Sequence, residues 1–220
     1  MTVGRAVSLE AAGFAHAFSQ RETQRPSLLA DLHVSNVVQA KQVHGARAID
    51  ARTAHSNLEA DALFARAAAG RVAVGVRVAD CVPVLVADPD SGDVAAIHAG
   101  WRGIVAGVIR ATLAELRGRR LIAAIGPCIG PCCFEVGLDV AEAIARSAGD
   151  RVVTSRASDK AHVDLRAAVR QQLFDERGER IAIENVAGCT KHEGARFHSF
   201  RRDGTQSGRM LAAIVTRIST

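Results

Sequence analysis

Apolar positions between Val72 and Gly103 come in short runs separated by turns. Val72–Val78 alternates valine with small or polar residues, and Ala79-Asp80-Cys81 interrupts the run. Val82–Ala87 resumes it, Asp88–Asp93 turns, and Val94–Ile97 runs into His98. Alternation with a period of two is the mark of a strand, so this stretch predicts three strands in succession. The same reading predicts strands at Gly13–Phe18, Asn36–Val43, Leu121–Ile125, Arg151–Ser155, Ile181–Val186 and Leu211–Ile218, with a short buried piece at Asp61–Phe64. Helical spacing governs Gly103–Arg117, where Ile104, Val105, Val108, Ile109, Thr112, Leu113 and Leu116 share a face. It also governs Leu138–Ser147 and Val163–Arg177, the latter built on Leu165, Val169, Leu173 and Phe174.

The polar stretches read as loops: residues 21–33 around Pro26 with one short element, 51–59, 155–160 and the tail 188–210. Residues 126–137 hold Gly and Pro at intervals that rule out regular structure through most of their length. Strands and helices are mixed without strict βαβ alternation. The expected fold is therefore a layered α/β sandwich with mixed sheets, one domain over residues 1–220.

Composition narrows the function. Apolar residues make up 48% and charged residues 23%, ordinary values for a globular chain with a core. A net charge of +5 suits an anionic substrate. Seven Phe, one Trp and no Tyr leave little for stacking on bases, and the arginines are scattered, so no nucleic-acid partner is expected. No run approaches the roughly 18 apolar residues of a membrane span, and the N-terminal residues lack a signal-type apolar region. The expected location is cytoplasmic, without membrane association. Five cysteines, an odd number, fit reduced thiols better than a disulfide framework.

Three residue sets could carry chemistry. His44, Cys81 and His98 each end or interrupt a β-like run. Two imidazoles and one thiolate suit zinc or copper and leave a fourth position open, while Cys81 with His98 alone could act as nucleophile and base. Asp80, beside the thiol, could orient a ligand or hold substrate. Cys128, Cys132 and Cys133 form a second set, but no second CxxC half completes a ribbon, and adjacent cysteines face opposite ways in extended chain. They read as residues packing a loop. The third set is Cys189, His192 and His198, a superficial zinc half-site in a polar loop, with Arg201, Arg202 and Arg209 nearby as anion contacts.

Five blocks then point to a family. Gln42–Gly45 (QVHG), Ala79–Pro83 (ADCVP), His98–Gly103 (HAGWRG), Ile125–Gly137 (IGPCIGPCCFEVG) and the SFRRDG and SGRM segments near the end resemble, in order, the signature blocks of the YfiH-type family. Its members were first labelled polyphenol oxidoreductases or laccase-like proteins. The resemblance covers roughly residues 12–218. It implies a layered α/β sandwich and zinc, with copper as the alternative, on His44, Cys81 and His98. It also implies phosphorolysis of adenosine, inosine, guanosine and methylthioadenosine, with a side activity of adenosine deamination. Substrate contacts are expected from Arg21, Asp80, Arg102 and Arg201, partners are nucleoside and phosphate, and the chain is expected as a monomer or homodimer. The family's glycine-containing N-terminal block is replaced here by FSQRETQRPS, and His198 stands where an aromatic residue is usual. Copper-dependent phenol oxidation is the rival reading. It calls for many histidines in HxH pairs, whereas this chain has eight, scattered, and no such pair. A cysteine hydrolase using Cys81 and His98 is the other.

Overall fold

A computed structural model describes residues 3–55 and 57–218. Met1 and Thr2 of the expected N-terminal strands, Ser56 in the expected polar connection, and Ser219 and Thr220 lie outside the described residues. Six strands form one sheet in the order Ile181–Asn185, Leu121–Ile125, Val82–Ala87, Val94–Ala99, Ala62–Ala65, Ala48–Asp50. Its outermost pairs are parallel and its inner pairs antiparallel, the mixed sheet that the order of elements suggests. A second, antiparallel sheet runs Val3–Gly4, His16–Ser19, Met210–Val215, Ala73–Val78. A small third sheet joins Val153–Arg156, Lys160–Val163 and Glu135–Gly137.

Side-chain alternation along the central strands builds the layers. Val82, Val84 and Val86 face helices Trp101–Ala106, Val108–Glu115, Leu138–Ala148 and Leu165–Arg177, packing on Ile104, Ile109, Ile144 and Val169. Leu85 and Ala87, on the other face, pack against Val74, Val76 and Ile214 of the four-stranded sheet. That sheet's far side, with Ala73, Ala213 and Val215, is covered by Leu28 and Leu32 at the Arg25–Asp31 helix. A strand buried on both faces has no polar position to alternate with, which is why residues 82–87 read as an unbroken apolar run.

The structure corrects several boundaries. The helix expected over Gly103–Arg117 starts at Trp101 and is two helices, broken where Gly107 adopts φ +86°. The polar stretch 21–33 contains the helix Arg25–Asp31, with Pro26 in its first turn, where a missing N–H costs nothing. The helix expected from Val163 begins at Leu165, because the Asp164 side chain caps it by accepting from Ala167 N at 3.0 Å. The strand expected over Asn36–Val43 does not form. Val38 bridges to Val74 on one side, and by Lys41 the backbone has moved to pair with Glu59, so neither ladder continues.

One connection positions the site. Val78 ends a strand of the four-stranded sheet and Val82 begins one in the six-stranded sheet, so Ala79-Asp80-Cys81 carries the chain between layers. Asp80 makes that crossing at φ 87°, outside the range most side chains adopt.

Candidate functional site

Cys81 ends that crossing, and His98 lies inside the neighbouring strand Val94–Ala99, opposite Pro83. His44 comes from the irregular segment that replaces the expected strand. Sequence-distant donors therefore meet: the ligand atoms of His44, Cys81 and His98 all lie within 4.8 Å of one another. Cys81 Sγ is 3.8 Å from His44 Nε2, and the two imidazoles stand edge to face at 4.8 Å between centroids. Zinc–sulfur and zinc–nitrogen bond lengths imply a sulfur–nitrogen edge of about 3.6 Å in a tetrahedron. The spacing fits one ion held by three ligands.

Asp61 holds two of these residues. Its carboxylate is buried and accepts from His98 Nδ1 at 2.7 Å. It also accepts from the backbone N–H of Val43 (3.2 Å), His44 (2.9 Å) and Gly45 (2.7 Å). His44 adopts φ 62°, a strained backbone for a non-glycine residue, and these bonds offset the cost. With Nδ1 committed to Asp61, His98 presents Nε2 towards the thiol and the cavity, the usual arrangement behind a metal-bound imidazole. Gly100 completes the floor, since a Cβ there would lie 2.8 Å from His44 Cδ2 and 3.1 Å from Cys81 Sγ.

Electrostatics follow from this geometry. Burial alone would raise the Cys81 thiol, but the His44 and His98 imidazoles outweigh it and bring it down to about 7. Burial alone would lower His98, but the Asp61 carboxylate and the Cys81 sulfur raise it to about 9. Asp61 is held below the usual carboxylate range: burial opposes this, while His98 and the Gly45 N–H favour it.

The trio opens onto a cavity of about 600 Å³. Lys41, Arg77, Arg201 and Arg209 bring positive charge to its lining, and Phe134 and Phe200 bring two aromatic faces. Arg77 is positioned through its backbone, which exchanges two 2.8 Å bonds with the Gln42 amide. Arg201 reaches over Phe134 and donates to Glu135 O at 2.8 Å.

Of the residues expected to contact substrate, Asp80 and Arg201 line this cavity. Asp80 is engaged on both oxygens, accepting from Thr190 Oγ1 and Arg201 N at 2.6 Å each, so it fastens the tail beside the thiol. Arg21 lies in an adjoining depression of about 170 Å³ that shares Arg77 and Arg209 with the main cavity. Arg102 stacks over Trp101 and is not among the lining residues. Sequence reading missed Lys41, Asp61, Arg77, Phe134 and Phe200. A usable signal existed for Asp61 alone, a carboxylate opening the apolar run 61–65, where burial demands partners. The other two candidate sets do not stay as grouped: Cys132 and Cys133 meet Cys189 and His192, leaving Cys128 and His198 aside.

The family model described as multi-copper polyphenol oxidoreductase laccase matches residues 19–217. The chain is 39% identical over 177 residues to "Adenosine deaminase RL5" of an unknown prokaryotic organism, covering 76% of this chain and 67% of that protein. It is 36% identical over 187 residues to the Escherichia coli "Purine nucleoside phosphorylase YfiH", covering 82% and 74%. A Bacteroides thetaiotaomicron "Purine nucleoside phosphorylase" matches at 40% over 149 residues, 64% of this chain and only 55% of that protein. These names support an enzyme. A crystal structure from Neisseria meningitidis superposes with a TM-score of 0.77 at 32% identity, covering 89% of this chain and 81% of the other. The YfiH structure from Bacillus licheniformis, at 24% identity, shares the fold with a TM-score of 0.80 over 94% of each chain. Matched across nearly all of its sequence and architecture, this chain belongs to the multi-copper polyphenol oxidoreductase laccase family.

Proposed function

We propose that the protein is a zinc-dependent purine nucleoside phosphorylase that also deaminates adenosine. The observation that carries this reading is the cavity itself: a His-Cys-His donor set, four cationic side chains and two aromatic faces around about 600 Å³. Phosphate is recognised by guanidinium groups, whose planar forks bond two oxygens at once, and a purine stacks on aromatic rings. Arg77, Arg201, Arg209 and Lys41 hold the phosphate, and Phe134 and Phe200 flank the base. When the glycosidic bond breaks, positive charge develops on the sugar, and a phosphate already fixed beside it is both nucleophile and counter-charge. Bound to His44, Cys81 and His98, zinc would supply Lewis-acid polarisation from an open fourth position; copper is the alternative for the same donors. Asp61 keeps the His98 imidazole in one tautomer and orientation. The names of the relatives support the substrate class.

A second reading has a specific observation behind it. His98 interacts with the Cys81 sulfur and with Asp61, so the thiol near neutrality meets an imidazole oriented by a buried carboxylate, as in a cysteine nucleophile and its base. One experiment separates the two. Adenosine, inosine, guanosine and methylthioadenosine are incubated with and without phosphate, with and without chelator, and the products are read by chromatography. Phosphorolysis gives free base and ribose 1-phosphate only when phosphate is present. Deamination gives inosine from adenosine without it, and chelator abolishes both. No turnover of any nucleoside overturns the proposal, and activity indifferent to chelator favours the thiol. Elemental analysis of Cys81→Ala and His98→Ala tests the metal: unchanged zinc and unchanged turnover in both would exclude these ligands.

A further inference from the structure

We propose that Cys132, Cys133, Cys189 and His192 form a second, closed zinc site that clips the Gly/Pro loop to the C-terminal tail. In sequence the two pairs are separated by more than fifty residues, and each is half of a ligand set without its other half. Folding supplies the match. Cys128 bridges to Cys189, and Thr190 N donates to Cys128 O at 3.0 Å, so loop and tail run side by side. The adjacent cysteines do not face apart, because the chain is turned there: the N–H groups of Cys133 and Phe134 both return to Gly130 O. On the tail, Glu193 N returns to Cys189 O at 2.9 Å, and this turn brings Cys189 and His192 to one side.

The distances are those of one tetrahedral ion. The four donor atoms lie within 4.8 Å of one another. Cys132 Sγ is 3.6 Å from Cys133 Sγ, 4.0 Å from Cys189 Sγ and 3.5 Å from His192 Nδ1. Zinc bond lengths imply tetrahedral edges of about 3.8 Å between sulfurs and about 3.6 Å between sulfur and nitrogen. Gly130 adds a feature suited to thiolate: its N–H points at Cys189 Sγ at 3.3 Å, and a Cβ there would lie 3.3 Å from both the Cys132 and Cys189 sulfurs. Cys128 stands apart, its sulfur facing Arg166 Nη2, and His198 lies outside the cluster, its backbone N–H donating to Met210 Sδ at 3.0 Å. Three sulfurs this close would repel one another as thiolates, and a divalent cation between them removes that conflict.

Four protein ligands leave no position for substrate, so this site is structural where the His44–Cys81–His98 set is open. Its consequence reaches the cavity. The clipped loop supplies Ile129 and Phe134 to the lining, and the tail supplies Phe200 and Arg201. Thr190, next to Cys189, holds the Asp80 carboxylate beside Cys81.

The test is metal content of the purified full chain, loaded with zinc, desalted and measured by elemental analysis. Two equivalents are expected per chain, one in a Cys81→Ala/His98→Ala variant and one in Cys132→Ser/Cys189→Ser. In case the last variant fails to fold, the Cys81→Ala/His98→Ala protein is also loaded with cobalt. About three quarters of the wild-type thiolate-to-cobalt absorption should persist, since three of the four assigned sulfurs remain. Wild type holding one equivalent that vanishes entirely in Cys81→Ala/His98→Ala overturns the proposal, as does recovery of Cys132 and Cys189 as a disulfide in protein purified under reducing conditions.

Discussion

Asp61 Oδ1 accepts from His98 Nδ1 at 2.7 Å while the same carboxylate takes the N–H groups of Val43, His44 and Gly45. One buried anion thus orients one imidazole directly and another through its backbone. Replacing Asp61 with Ala leaves a buried imidazole and three N–H groups without their acceptor. Zinc affinity at the His44–Cys81–His98 set should fall by about 10–100-fold, the usual effect of losing a partner behind a ligand. Stability should fall by about 3–5 kcal/mol, as for one half of a buried pair. Chelator competition and denaturant unfolding measure the two. Unchanged affinity would mean that Asp61 serves the fold alone.

Gly100 has no room for a side chain between His44 and Cys81. Gly100→Ala should displace one of these donors by a fraction of an ångström to about 1 Å. A displacement of that size costs up to about 10²-fold in rate. Nucleoside turnover should drop at least about ten-fold with a modest change in melting temperature. Full activity in this variant would remove His44 and Cys81 from the reacting site.

Cys81 at about 7 and His98 at about 9 give the metal-free protein a defined pH behaviour. Alkylation of Cys81 should be half-maximal near pH 7 and not near the ordinary 9.0, when followed by mass spectrometry of the Cys81 peptide. Stability follows by linkage. The raised His98 contributes fully below 6.5, and its contribution is lost as pH rises through about 9. The lowered Cys81 contributes nothing below about 7 and fully above 9.0. Between 7 and 9 the two proton counts cancel. Metal-free Cys81→Ala lacks the second contribution and also the sulfur that helps raise His98, so the imidazole should lose its proton at a lower pH than in metal-free wild type. An unchanged His98 titration in that variant, followed by NMR, would contradict the ion pair.

Arg209 reaches the cavity and has no carboxylate partner among the described residues; its guanidinium donates to Ser207 O and Gly208 O. Arg209→Ala should raise the phosphate KM about ten-fold, the loss of one charge-assisted contact, and leave zinc content unchanged. Phe200, half exposed at the same cavity, should act on the other substrate. Phe200→Ala should raise the nucleoside KM by the equivalent of about 1–3 kcal/mol of stacking. Steady-state kinetics with each substrate varied in turn checks both. An effect of Arg209→Ala on the nucleoside KM alone would reverse the assignment.

Sequence by itself was enough to place the strands expected at 72–78, 82–87 and 121–125 and the helices expected at 138–147 and 163–177, to within one or two residues of their ends. Residues 72–78 alternate with period two, the helices repeat near four, and 82–87 and 121–125 are short apolar runs bounded by polar or turn residues, all of them local patterns. It was also enough to group His44, Cys81 and His98 as candidates, because each reads as ending or interrupting a β-like run. It gave a wrong local reason for His44, whose segment pairs first with Val74 and then with Glu59 in place of forming a strand. Only the tertiary structure decided what lies across the gaps. Asp61 is seventeen residues from His44 and thirty-seven from His98, and no periodicity links a carboxylate to donors on other elements. The same holds for Cys132 and Cys133 with Cys189 and His192. Each pair alone fails as a metal site, and their meeting depends on loop and tail pairing beside the sheet, a contact of long sequence separation that no local pattern encodes.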